Sequence, residues 1–295
     1  MRILEKLIGT LLIGLFFLGT SCSQNTYRKI NKEYKRNVKE VAKAYREIPK
    51  TKEELNYDTL IITDEWVGTT NFSIRRPNFV IIHHTAQDSL GQTIATFTKS
   101  STQVSSHYVI AKDGTIVQML NDYLRSWHAG RGKWGAVTDL NSVSIGIELD
   151  NNGFEPFPEE QIESLLTLCK RLKWKYGIPT ANFIGHSDIA PSRKVDPNKY
   201  FPWKKLAGEG YGFWYEEEVV FPELDGVSSI PLENPESFIQ DTFDPIIALR
   251  IIGYDVSNPA LAIQSFKLHF VQNEVTSELT DLDIRILKNL YKKYL

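Results

Sequence analysis

The sequence predicts an α/β domain followed by a small three-helix unit, and three observations carry that reading. Short apolar runs of strand type, Asn78 to Ile82 and Ser144 to Leu149 among them, are interleaved with a longer segment of helical spacing. Asp113-Gly114 lies between two apolar runs, a strong hairpin signal because both turn residues tolerate the backbone such a turn needs. Beyond Leu206 the strand signals stop, and three segments each open on a capping residue before an apolar helical pattern. Composition narrows the class further. With 42% hydrophobic and 24% charged side chains over 295 residues, the chain is globular rather than disordered. Thirty-four Lys and Arg against 36 Asp and Glu leave a formal charge of −2, so no global basic field draws it onto nucleic acid. Two cysteines cannot form a disulfide framework.

Arg2 and Lys6 precede an uncharged stretch from Leu7 to Gly19, the charged start and apolar middle of a secretory signal peptide. At about 1.5 Å per residue it falls short of a hydrocarbon core of about 30 Å, which excludes a polytopic membrane protein. Its end, Leu18-Gly19-Thr20-Ser21-Cys22, resembles the lipobox of bacterial lipoproteins. That resemblance implies removal of residues 1–21 and acylation of Cys22, with an ordinary cleaved signal and a free thiol as the alternative. Ser23 stands where an Asp would retain a lipoprotein at the inner membrane, so the expected place is the periplasmic face of the outer membrane of a diderm bacterium. Residues 22–56 then form a basic spacer. From Ser23 to Lys50 there are nine Lys or Arg against three Glu, and Ile30, Tyr34, Val41, Tyr45 and Ile48 recur at helical steps. The spacer is read as a solvated amphipathic helix or one lying on an anionic membrane or wall polymer.

The main domain is expected over residues 57–207. Asn78 to Ile82 reads as a strand running into His83 and His84, and Val104 to Met119 as the hairpin. In Ser144 to Leu149, Ile145, Ile147 and Leu149 share one face while Ser144, Gly146 and Glu148 share the other. The small Ser144 and Gly146 are expected to leave room for a ligand to approach Glu148. Pro158-Glu159-Glu160 opens a helix that Gly177 and Pro179 close. Cys169 lies on its apolar stripe with Ile162, Leu165, Leu166 and Leu172, as a core residue rather than a nucleophile. Asn182 to Gly185 is a brief strand delivering His186.

Histidines at two strand ends with a carboxylate soon after the second can supply three ligands to zinc and leave a fourth position open. Asp196 precedes Pro197 and is biased toward extended backbone, so Lys194 and Asp196 can address one site. Adjacent His83 and His84 point to opposite faces, and spacing alone does not choose between them. Asp188 competes as a carboxylate, with a local capping role before Pro191 as its other reading. His107 reads as a wall residue of the hairpin.

The segments Val80 to Ala86, Val104 to Tyr108, Trp127 to Gly130, Ser144 to Glu148 and Gly185 to Pro197 resemble, in order, those of zinc-dependent N-acetylmuramoyl-L-alanine amidases. The resemblance implies a mixed central sheet flanked by helices, and covers about Pro77 to Leu206. It implies His83, His186 and Asp196 as ligands of a Zn2+ cofactor, Glu148 as general base and Lys194 as the partner of the oxyanion. Trp127, His128 and Asn141 become the expected substrate contacts, with a structural role for His128 beside Trp127 as the alternative. The implied reaction cleaves the amide between the lactyl group of N-acetylmuramic acid and L-alanine in peptidoglycan or muropeptides. Relatives that have lost a ligand only bind peptidoglycan, and a non-catalytic recognition lipoprotein is the competing class. No His-Glu-x-x-His occurs, and no His-x-His pair. The loop from Arg131 to Asn141 is expected to border the cleft without revealing whether intact wall or anhydromuramyl fragments are preferred.

Residues 208–236 read as an aromatic and acidic connector and 237–295 as the three-helix unit. Asp244-Pro245, Asn258-Pro259 and Thr280 start its helices. Ala248-Leu249-Arg250 and Gly253 to Val256 resemble the peptidoglycan-binding domain of the same amidases, with a packing or positioning appendage as the alternative.

Overall fold

A computed structural model of the chain describes residues 26–46, 71, 73–221 and 243–295. The expected signal segment, Cys22, Ile48 and much of the connector lie outside them. The chain divides into two units, residues 1–72 and 73–295. In the first, helix α1 (Arg28–Ala44) has no buried residue, and Tyr34, Val41 and Tyr45 are exposed. Among the described residues no helix is long and apolar enough to cross a membrane.

The second unit is built on a five-stranded sheet in the order β3-β2-β4-β1-β5, with β1 (Phe79–His84), β2 (Tyr108–Ile110), β3 (Ile116–Gln118), β4 (Ser144–Leu149) and β5 (Phe183–Gly185). Only the β2–β3 hairpin is antiparallel; β2–β4, β4–β1 and β1–β5 are parallel. The sheet is therefore mixed, as the resemblance implies. The hairpin turns where Asp113-Gly114 places it, with Gly114 at φ 82° and the Thr115 N–H donating to Asp113 Oδ1 at 2.9 Å.

Between the strands lie α2 (Leu90–Thr98), α3 (Leu140–Val143) and α4 (Glu159–Tyr176), and after them α5 (His186–Ile189), α6 (Trp203–Gly208) and α7 (Glu217–Val220). Pro158 precedes α4, Glu159 and Glu160 occupy its first turn, and Gly177 in the left-handed region ends it. Its apolar side, including the buried Cys169, packs with Val80, Ile82, Ile145, Ile147 and Leu149 to make one core. Because side chains alternate along a strand, the opposite face carries Phe79, Ile81 and His83 of β1 and Ser144, Gly146 and Glu148 of β4.

Three capped helices complete the chain: α8 (Pro245–Ile252), α9 (Pro259–Phe270) and α10 (Asp281–Tyr294). Asp244 Oδ1 accepts from the N–H of Ile246 at 2.8 Å, Asn258 Oδ1 from Leu261 at 3.3 Å and Thr280 Oγ1 from Asp283 at 3.2 Å. They share a second core with the sheet domain: Phe79, Ile81, Ile184 and Ile189 pack in one cluster with Leu249, Phe266 and Leu287. The three helices are thus part of the same compact unit, a packing role that their sequence did not distinguish from a detached wall-binding module.

A shared core predicts a shared transition. Phe266→Ala, at a fully buried position, should cost about 3–5 kcal/mol and shift one cooperative denaturant transition, read alike by far-ultraviolet circular dichroism and tryptophan fluorescence. Two separated transitions would refute the shared core.

Candidate metal site and catalytic face

Strand β1 delivers His83 beside Glu148, its direct partner in the parallel β1–β4 register. Strand β5 ends at Gly185 and α5 begins with His186, so the second histidine enters from a strand-to-helix turn. The chain then returns through Arg193 and Lys194 to Asp196, whose carbonyl accepts from the Ser187 N–H at 2.8 Å. Three donor atoms converge: His83 Nδ1 is 2.8 Å from His186 Nδ1 and 3.1 Å from Asp196 Oδ2, and His186 Nδ1 is 3.0 Å from that oxygen. Tetrahedral coordination at about 2.0–2.1 Å separates ligand atoms by about 3.3 Å, close to this triangle. The donor chemistry also fits. His186 Nε2 lies 3.1 Å from the Ala129 carbonyl, which only accepts, so in the neutral ring that nitrogen holds the proton and Nδ1 presents its lone pair to the triangle. His83, His186 and Asp196 can therefore hold a metal ion.

His84 is turned to the other face, where its Nδ1 accepts from the Asn198 N–H at 3.1 Å. Asp188 is also occupied away from the triangle. Its Oδ2 accepts from the Gly185 N–H at 2.7 Å, the local capping role, and from His269 Nδ1 at 2.7 Å, while Oδ1 accepts from the Tyr254 hydroxyl at 2.8 Å.

Glu148 Oε1 stands 4.0 Å from His83 Nδ1. Burial, with Asp196 adding to it and Lys194 opposing, pushes its carboxyl up to about 8. His83 moves the other way, down to about 4, through burial first and then the neighbouring His186. Asp196 is held well below the usual carboxylate range: burial opposes ionisation, but His186 and His83 outweigh it. Lys194 is half-buried, and its charge acts on both Glu148 and His83. The site thus gathers an electron-pair triangle and a carboxyl of raised proton affinity on one face of the sheet, with the charge of Lys194 acting on both.

The profile of the family N-acetylmuramoyl-L-alanine amidase matches residues 73–199. AmiD of Escherichia coli strain K12, an N-acetylmuramoyl-L-alanine amidase, is 34% identical over 241 residues, 74% of this chain and 84% of that protein. The chain belongs to the N-acetylmuramoyl-L-alanine amidase family. The solved complex of AmiD with anhydro-N-acetylmuramic acid-L-Ala-D-gamma-Glu-L-Lys superposes with a TM-score of 0.63 at 31% identity, covering 77% of this chain and 93% of that one. AmpDh3 of Pseudomonas aeruginosa, solved with an anhydromuramic pentapeptide, gives a TM-score of 0.63 at 28% identity, covering 80% and 99%.

Around this amidase site the structure redistributes several expected roles. The space above Ser144 and Gly146 is filled by the His128 ring: a Cβ on Gly146 would sit 2.5 Å from His128 Cγ. The expected room for a ligand over these two residues is therefore absent. His128 is buried, with Nδ1 3.0 Å from His83 Nε2 and Nε2 3.0 Å from Ser144 Oγ. Asn141 is buried as well, its Oδ1 accepting from the N–H groups of His128 and Ala129 at 3.1 and 2.8 Å. Of the three expected substrate contacts, only Trp127 is exposed.

His107 is satisfied within the wall: Nδ1 accepts from the Gly146 N–H at 3.1 Å, so Nε2 donates to the Leu124 carbonyl at 3.0 Å. Sequence reasoning missed Arg193, whose Nη2 donates to the carbonyls of Ala129 and Arg131 at 2.8 and 2.6 Å. It also missed Tyr254, Ser265 and His269. The Ser265 hydroxyl donates to the Ser187 carbonyl at 2.7 Å, so α9 holds the turn that carries His186. No local pattern signals these partners, which lie more than 60 residues from the groups they bind.

The buried His107 gives acid sensitivity a defined sign. Burial, aided by Arg75, lowers its pKa from 6.5 to about 4 against the opposing Leu124 hydrogen bond. The unfolded chain then binds more protons between these values, so His107 stabilises the fold above about pH 6.5 and that stability is lost as pH falls toward 4. Urea midpoints measured over this range should fall less steeply for His107→Asn than for the parent. Equal slopes would show that His107 does not change its proton affinity on folding.

Proposed function

We propose that this chain is a zinc amidase that hydrolyses the amide bond between the lactyl carbonyl of N-acetylmuramic acid and the amine of L-alanine, in peptidoglycan or its fragments. The observation that carries the reading is the convergence of His83, His186 and Asp196 beside Glu148 on one sheet face. Family membership and the muropeptide complexes of AmiD and AmpDh3 support the substrate class. Two imidazole nitrogens and one carboxylate oxygen form a catalytic zinc donor set with a position left for the reactants. When bound, the ion supplies Lewis-acid polarisation of the scissile carbonyl and of the attacking water.

The chain's own groups do the rest. Glu148 accepts a proton from the attacking water, and the buried setting that raises its proton affinity lets it hold that proton at its carboxylate and then pass it to the nitrogen of the departing L-alanine amine. A cation held by His83, His186 and Asp196 would oppose this rise and favour the ionised carboxylate. The ammonium of Lys194 faces the negative charge that develops on the carbonyl oxygen, where a positioned cation acts more strongly than in water. His186, held through its Nε2–H, and Asp196 fix the ligand triangle while these transfers proceed.

Glu148→Gln should retain zinc yet release free L-alanine amino termini from muropeptides on the order of 10²–10⁴-fold more slowly. Near-parental turnover would remove Glu148 as the base. Zinc-loaded parental protein that frees no such termini from wall or fragments would overturn the enzymatic reading.

We further propose that Cys22 is the acylated residue that holds the enzyme at a membrane, on the pattern of Leu18 to Cys22. Each buried CH2 contributes about 0.8 kcal/mol, so several acyl chains anchor without a spanning helix. Cys22→Ser should lose incorporation of labelled palmitate and leave the membrane fraction. Retention of both would refute the anchor.

A further inference from the structure

We infer that His128 is a positioning residue that sets which nitrogen of His83 carries its proton, through one hydrogen-bonded chain running from the Leu140 carbonyl to the ligand triangle. The inference deepens the zinc-amidase reading and rests on it for its functional meaning, while its geometry stands on this chain alone.

The direction of the chain is fixed at its far end. The Leu140 carbonyl oxygen only accepts, so the Ser144 hydroxyl bonded to it must donate. With that hydrogen committed, Ser144 Oγ offers lone pairs to His128 Nε2 at 3.0 Å, and this nitrogen carries the proton. A neutral imidazole has one N–H, so His128 Nδ1 accepts. Its partner, His83 Nε2 at 3.0 Å, is then the donor. The proton of His83 is thereby held on Nε2, and Nδ1 stands bare toward His186 Nδ1 and Asp196 Oδ2.

The opposite proton arrangement would place N–H on His83 Nδ1, pointing into the triangle where a cation must sit. An outer partner that fixes the tautomer and raises the basicity of a metal-ligating histidine is a general device of metal sites. Here the two ligating rings use different partners. His186 leans on a carbonyl, and His83 leans on a second imidazole whose own proton is placed by Ser144.

The seat of His128 is built for this ring. Gly146 is required beneath it, because a Cβ there would approach three of its ring atoms to 2.5–2.8 Å. The backbone on either side of the ring is clamped by Asn141 Oδ1 through the His128 and Ala129 N–H groups. The His83 and His128 ring centroids lie 5.1 Å apart with a 3.0 Å nitrogen–nitrogen contact between them, the spacing of an N–H meeting an in-plane lone pair end to end. Ser144, Gly146 and Asn141 are thus positioning residues at one further remove.

Two substitutions separate the acceptor from the bulk. Asparagine places its side-chain oxygen where His128 Nδ1 lies, whereas glutamine reaches toward Ser144 and removes the acceptor facing His83. Zinc affinity, read by chelator competition, should fall about 10–100-fold in His128→Gln and stay close to the parental value in His128→Asn. Parental affinity in a folded His128→Gln would overturn the inference.

Nitrogen-15 spectra of the histidine-labelled parental chain, metal-free and zinc-loaded, test it without any substitution. The expected result is a proton on His83 Nε2 with through-hydrogen-bond coupling to His128 Nδ1. A proton on His128 Nδ1 instead would also overturn the inference, even if the glutamine variant does not fold. A zinc-loaded chain that shows the expected tautomer but releases no L-alanine termini would refute the amidase reading and leave the hydrogen-bonded chain standing.

Discussion

The parallel register between β1 and β4 is the constraint on which the rest of the structure depends. It sets His83 directly beside Glu148 and, by the period of two along each strand, brings Gly146 and Ser144 to the same face. A slip of β1 by one residue would turn the histidine into the apolar core beneath α4, away from the carboxylate. The burial of Val80, Ile82, Ile145, Ile147 and Leu149 on that opposite face makes such a slip costly. The hydrophobic pattern of two short strands therefore decides where the chemistry lies, although none of the apolar residues takes part in it.

A face so buried has to satisfy its polar groups internally. Four histidines, His83, His107, His128 and His186, lie there with little access to water. Burial drives the proton affinity of His83, His107 and His128 down, which favours the neutral ring with one donor and one acceptor nitrogen. Carbonyls of Leu124, Ala129 and Leu140 then act as fixed references that orient the network. Replacing water by such preoriented partners costs little reorganisation during reaction.

The C-terminal helices extend this logic. Their apolar sides complete a core with Phe79, Ile81, Ile184 and Ile189, and their polar side chains hold the turn carrying His186 through Ser187 and Asp188. A segment that reads in sequence as an appended module is, in the folded chain, part of the support of His186. The loop carrying Trp134 and Gly135 is tied to the connection between α8 and α9, with the Gly135 N–H donating to the Gly253 carbonyl at 2.7 Å and Trp134 packed edge to face on Tyr254.

The sequence by itself determined what local chemistry can carry. The Asp113-Gly114 turn, the helix from Glu159 to Tyr176 and the capped starts at Asp244, Asn258 and Thr280 are set by backbone preferences within a few residues. The resemblance of the ordered segments likewise marked His83, Glu148, His186 and Asp196; the first three end, line or open a strand or helix, whereas Asp196 lies in the irregular stretch before Pro197. Tertiary structure alone decided what fills the space over Gly146 and whether the last three helices stand apart. Those outcomes depend on sheet register and on contacts such as Asp188 with Tyr254 and His269, 66 and 81 residues apart in the chain. A side chain's partner at that distance is fixed by the packing of whole elements, which no residue's own preference encodes.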